Sequence, residues 1–120
     1  MSKVILVVDD SQAVRQLVSM ALKGAGYEVI EAVDGRDGLS KANGNKINMI
    51  VSDVNMPNMD GIAMLTEIKK LPAYKFTPVL MLTTEAGADM KKKGQAAGAK
   101  AWLVKPFQPN ILLSAVSKLI

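Results

Sequence analysis

Two hydrophobic periods alternate along this chain. Residues 4–8 form an unbroken apolar run that stops at two carboxylates, Asp9 and Asp10. From Ser11 onward apolar residues recur at Val14, Leu17, Val18, Ala21 and Leu22, the spacing of one helix face, and Gly24 and Gly26 close the stretch. Residues 29–32 predict a second strand, Asp34-Gly35 a turn, and Leu39 and Ala42 a weaker helix. A third apolar run, 49–52, surfaces at Asp53; Ile62, Leu65 and Ile68 then mark a helix stopped by Pro72. Residues 79–82 read as a strand ending at Thr83-Thr84, and 89–97 as a helix closed by Gly98. Residues 101–104 make the fifth strand and 111–120 a last amphipathic helix.

The alternation predicts an α/β fold of five strands and five helices. Several strands are apolar on both faces, which calls for a parallel sheet covered by helices on each side. The whole chain, 1–120, reads as one domain, without linker, repeat or low-complexity segment. Its first residues run straight into a strand and offer neither a signal-peptide core nor a membrane span, so a cytoplasmic, membrane-free domain is expected. By type, Met20, Met49, Met64 and Met81 are expected to pack in the core, with Met56 and Met59 partly exposed on the loop after Asp53.

Composition narrows the chemistry. The chain has no Cys and no His, which excludes Cys/His zinc sites, thiol nucleophiles, Ser-His-Asp triads and an internal phosphohistidine relay. Net charge is +4, and the lysines are scattered apart from Lys91-Lys92-Lys93. With only five aromatic residues, a solvated basic surface is the expectation and nucleic-acid binding is not.

In parallel α/β sheets ligands bind beyond the carboxyl ends of the strands. Here those ends deliver Asp9 and Asp10, Asp53, Thr83 and Lys105. Singly, each has an ordinary explanation: Asp9-Asp10 as a helix cap, Asp53 as an Asx turn, Lys105 as a solvated lysine. Together they describe a pocket in which like charges raise one another's pKa and a divalent cation relieves them. Mg²⁺ suits an all-oxygen set of carboxylates and phosphoryl oxygens. An ammonium and a hydroxyl complete a phosphoryl site, and a carboxylate can itself be the phosphoryl acceptor. With no His or Cys available, Asp53 is the expected nucleophile.

The segments VVDD at 7–10, SDVNMPNMDG at 52–61, LTTEA at 82–86 and KPF at 105–107, in this order and spacing, resemble the response-regulator receiver domain, and most of all its single-domain chemotaxis (CheY-like) type. The resemblance implies a flavodoxin-like (βα)5 fold with strand order 2-1-3-4-5. It implies Asp53 as phosphoacceptor, Asp10 as a direct Mg²⁺ ligand, Asp9 as a ligand through water, and Asn55 as the donor of a backbone carbonyl. It assigns Thr83 and Lys105 to the phosphoryl oxygens and a cis bond to Lys105-Pro106. Trp102 falls where the family carries an aromatic switch residue, most often smaller, and Thr84 falls where a smaller residue is common. Asn55 and Glu85 would flank the path of hydrolytic water, and polar residues there imply a phosphoryl lifetime of seconds to minutes.

The implied function is a switch rather than an enzyme. A CheA-like histidine kinase donates the phosphoryl group, and the remodelled face of the 89–97 helix, the fifth strand and the last helix binds a motor switch or another protein, with the chain acting as a monomer. A phosphate sink, a regulator of pilus-driven movement and a receiver cut from a longer regulator are variants of the same reading. Two enzyme classes fit less well. A flavodoxin needs a Ser/Thr/Gly-rich loop where Asp9-Asp10 stand, and an aspartyl-nucleophile phosphohydrolase needs a general-acid Asp where Asn55 stands.

Overall fold

The computed structural model describes residues 3–42, 46–83 and 88–120. Strands β1 (Val4–Val8), β2 (Glu28–Ala32), β3 (Met49–Asp53), β4 (Val79–Thr83) and β5 (Ala101–Val104) alternate with helices α1 (Gln12–Gly24), α2 (Gly35–Ala42), α3 (Gly61–Lys69), α4 (Ala88–Ala97) and α5 (Pro109–Leu119). All pairings are parallel and the order is β2-β1-β3-β4-β5, as expected. The register sets Val8 beside Ser52, Asp53 beside Leu82 and Thr83 beside Val104. The ends of β1, β3, β4 and β5 therefore open at one level.

Successive strand residues face opposite sides of the sheet, and two cores result. Leu6, Val8, Ile50 and Met81 pack with Met64, Leu65 and Ile68 of α3, while Ile5, Val7, Met49, Val51, Leu80 and Leu82 pack with α1 and α5 through Val18, Leu22, Leu112 and Val116. β3 and β4 are buried along their whole length, whereas β2, at an edge, is half-buried. Helix starts are capped locally. Ser11 accepts from the Val14 N–H, Asp60 accepts from the Ala63 N–H at 2.7 Å, and Pro109 opens α5.

One expectation needs correction. Met20 is 73% exposed, so it is not a core methionine, although Met49, Met64 and Met81 are fully buried. On the helical wheel Met20 lies off the stripe formed by Val14, Val18, Ala21 and Leu22, and that angle overrides its hydrophobicity. Leu17, at the margin of the same stripe, is also substantially exposed. Pro72 ends α3 as expected but also starts a short 3₁₀ turn, Pro72–Tyr74, whose buried Tyr74 hydroxyl donates to the Ala42 carbonyl. No helix among the described residues is long and apolar enough to cross a membrane.

Candidate functional site

The strand ends bring the acidic residues together. Carboxylate oxygens of Asp9, Asp10 and Asp53 lie within 4.8 Å of one another. Asp9 and Asp53 are buried and Asp10 is exposed, so the cluster is floored by protein and open on one side. Each buried carboxylate has one oxygen fixed by backbone: Asp9 Oδ1 accepts from the Ser11 N–H at 2.9 Å, and Asp53 Oδ1 from the Val54 N–H at 2.8 Å. The other oxygens face Lys105, whose Nζ lies 2.9 Å from Asp9 Oδ2 and 3.3 Å from Asp53 Oδ2.

One ammonium against three carboxylates leaves an excess of negative charge. Burial, and then the charge of Asp9, push the Asp53 carboxyl above its ordinary range, although Lys105 and the Val54 N–H oppose them. Burial alone would lower Lys105. Its hydrogen bond to Asp9 and the charges of Asp9 and Asp53 outweigh that, and its net direction is upward. The donor set fits Mg²⁺: it is all oxygen, carries surplus negative charge, and opposite vertices of an octahedron with bonds of about 2.1 Å are about 4.2 Å apart. Asp9, Asp10 and Asp53 could hold such an ion.

Thr83, fully buried, ends β4, and its carbonyl accepts from the Lys105 N–H at 2.7 Å, which ties the lysine to that strand end. The Lys105–Pro106 peptide is cis, as the resemblance implies, and Pro106 is exposed. Asn55 is exposed on the loop leaving β3. Trp102, the chain's single tryptophan, lies half-buried on β5. Its ring fills the space a Cβ on Gly94 would need, and its buried indole N–H has no hydrogen-bond partner among the described residues. Thr84 and Glu85 lie outside the described residues.

Backbone approach explains the Gly of the 52–61 segment. Gly61 N–H donates to the Val54 carbonyl at 2.8 Å, and a Cβ at Gly61 would collide with the Asp53 carbonyl oxygen. The loop between them is thus closed tightly behind the acceptor candidate.

Sequence reasoning passed over three residues near the site: Arg15, Asp34 and Asn58. Arg15 Nη1 donates to the Asp9 carbonyl at 2.8 Å while Nε pairs with Glu31 at 3.3 Å, joining α1 to β2 behind the cluster. A cation so near a helix N-terminus opposes the helix dipole, and that misfit was its signal. Asp34, read only as a turn residue, accepts from the Asp37 N–H at 2.8 Å and from Asn58 Nδ2 at 2.7 Å. Those hydrogen bonds, that of Asp37 foremost, hold the Asp34 carboxyl below its usual value.

Three comparisons bear on this arrangement. The family model described as "Response regulator receiver domain" matches residues 5–117. Protein PilG of Pseudomonas aeruginosa is 39% identical over 112 residues, covering 93% of this chain and 83% of that protein. The transcriptional regulatory protein SrrA of Staphylococcus aureus is 34% identical over all 120 residues, which span about half (48%) of its length. Among solved structures, the chemotaxis response regulator CheY4 of Vibrio cholerae superposes with a TM-score of 0.96 at 47% identity, each chain covered completely.

Proposed function

The chain belongs to the response regulator receiver domains, and from that premise we propose that it is a single-domain, chemotaxis-type response regulator that accepts a phosphoryl group on Asp53 from a partner histidine kinase. The observation that carries the reading is the buried Asp53 carboxylate, one oxygen fixed by the Val54 N–H and the other turned toward Lys105 inside an acidic cluster. In the transfer, Asp53 Oδ2 attacks phosphorus, the phosphorus–nitrogen bond of the kinase phosphohistidine breaks, and the bonding pair returns to the imidazole. The product is an aspartyl-phosphate, later released by water.

Residues of the chain divide the work. Asp9, Asp10, Asp53 and the Asn55 carbonyl would hold Mg²⁺, which supplies charge neutralisation to the phosphoryl oxygens. Lys105, freed in part from Asp53, is close enough to bond an oxygen of the transferred group, and Thr83 at the end of β4 is the second donor. Pro106 and the carbonyl of Thr83 orient Lys105. The chain turns over no separate substrate; phosphotransfer and autodephosphorylation are self-catalysed.

Output leaves through protein contact in the cytoplasm. The face of α4, β5 and α5 carries Trp102, the exposed Val104 and Ile111, and the solvated Lys91, Lys92 and Lys93. Beside Trp102 a cavity of about 210 Å³ is lined by Lys91, Gln95 and Lys100. A downstream protein such as a motor switch component would read this face after Thr83 and Trp102 respond to the phosphate, the chain itself remaining monomeric. The test is intact-mass spectrometry after incubation with a small phosphodonor and Mg²⁺. One phosphoryl on wild type, absent from Asp53→Asn and absent with EDTA, is expected. Equal labelling of both proteins would overturn the assignment of Asp53.

A further inference from the structure

The loop that leaves Asp53 is held by burial only in part: Val54 is in the core and Met56 and Met59 pack at its margin. Asn55, Pro57 and Asn58 are exposed, and Met56 and Met59 are only half-buried. Besides the Gly61–Val54 hydrogen bond that closes it, a contact with the loop between β2 and α2 holds it. Asn58 Nδ2 donates to Asp34 Oδ2 at 2.7 Å, and the Gly35 N–H donates to the Met59 carbonyl at 3.0 Å. Gly35 permits the approach, since a Cβ there would collide with the same Met59 carbonyl.

The loop offering the acceptor is itself rigid. Asp34 Oδ1 takes the Asp37 N–H at 2.8 Å, and Asp37 Oδ2 takes the Val33 N–H at 2.9 Å, a reciprocal cap on α2. Asn58, for its part, has φ of 66°, a left-handed conformation that Asn and Asp tolerate better than other side-chain-bearing residues. From that conformation the side chain reaches Asp34.

We propose that Asn58 is a positioning residue, which with Asp34 clasps the loop so that the backbone next to Asp53 is held ready for a divalent cation. The inference rests on the metal and phosphoryl reading above. The two side chains of the clasp make no hydrogen bond to the three carboxylates among those described. Its effect therefore passes through the backbone of residues 54–59. Groups that orient metal ligands from behind commonly change metal affinity roughly 10–100-fold, and a clasp acting through the backbone belongs at or below the low end of that range.

A swap isolates the hydrogen bond from the residue types. Asn58→Asp sets two carboxylates face to face while keeping an αL-tolerant residue. The double variant Asp34→Asn with Asn58→Asp restores one donor and one acceptor, now reversed, and the amide oxygen introduced at position 34 still accepts from the Asp37 N–H. Asn58→Gly keeps the backbone conformation without the amide and serves should Asn58→Asp fold poorly. Mg²⁺ affinity is read by isothermal titration calorimetry, and melting in EDTA is measured in parallel.

We expect Asn58→Asp to weaken Mg²⁺ binding about tenfold, Asn58→Gly to weaken it by about three- to tenfold, and the double variant to recover to within about twofold of wild type. A clasp that serves stability alone would lower the melting temperature in EDTA and leave the Mg²⁺ dissociation constant unchanged, which would overturn the inference. So would a double variant as weak as Asn58→Asp. If wild type itself bound no Mg²⁺, the metal reading would fall and the inference with it, an outcome distinct from variants that match a Mg²⁺-binding wild type.

Discussion

Asp53→Asn removes one charge from the acidic cluster yet keeps the oxygen that accepts the Val54 N–H at 2.8 Å. Its effect on stability without metal can be worked from the distances. Carboxylate oxygens within 4.8 Å of each other repel by at least about 3.5 kcal/mol per pair at an effective dielectric of about 20, and Asp53 faces Asp9 and Asp10. The 3.3 Å contact with Lys105 offsets about 5 kcal/mol on the same scale. A balance of about 2 kcal/mol remains in favour of the neutral side chain, before the cost of burying the charge is counted. In EDTA at neutral pH, Asp53→Asn is expected to melt roughly 5–10 °C above wild type.

The pH dependence follows from the raised Asp53 carboxyl, whose first cause is burial and whose second is Asp9. A carboxyl raised by folding lowers stability as pH rises from its unfolded value through its folded one, and the loss is constant above that. Wild type and Asp53→Asn should therefore converge as pH falls through that window and separate as it rises. Saturating Mg²⁺ should narrow or reverse the gap, since binding to the native state stabilises wild type by RT ln(1 + [L]/Kd). Melting followed by circular dichroism across pH, with EDTA and with Mg²⁺, checks each arm. Asp53→Asn melting at or below wild type in EDTA at neutral pH would refute the reasoning.

Gly61→Ala should cost about 3 kcal/mol or more in urea unfolding, because the colliding atom is the Asp53 backbone oxygen and cannot swing aside. Gly94→Ala should cost about 1–3 kcal/mol and shift the emission of the single tryptophan, since the new methyl displaces the Trp102 ring; unchanged emission would mean that the ring does not rest on α4. Met20→Gln should stay within about 0.5 kcal/mol of wild type, whereas Met49→Ala should cost about 2–5 kcal/mol, both read by urea unfolding.

The β3 and β4 strands were legible because both faces are buried and the apolar runs are unbroken, and Asp53 and Thr83 stood out as the polar residues ending them. β2 gave a fainter signal, since it is an edge strand interrupted by Glu28 and Glu31 in which Ala32 alone is fully buried. Lys105 could be placed because the parallel topology fixes which end of β5 it leaves. Met20 could not be placed by residue type; the wheel angle was needed. Arg15, Asp34 and Asn58 escaped for a different reason. Their bonds join residues on separate loops or elements, and no periodicity encodes a contact between positions 34 and 58. Thr84 and Glu85 lie outside the described residues, so the water path stands on the resemblance alone.

The sheet order also bears on how the site would assemble during synthesis. β1, β2 and β3 are neighbours, and β4 and then β5 each add to the growing edge. A chain assembling from its N-terminus, as during synthesis, would gather Asp9, Asp10 and Asp53 from its first fifty-three residues, long before β5 delivers Lys105. Three like charges would converge with their own counter-ion still absent. A divalent cation in the medium would stand in for the lysine over that interval.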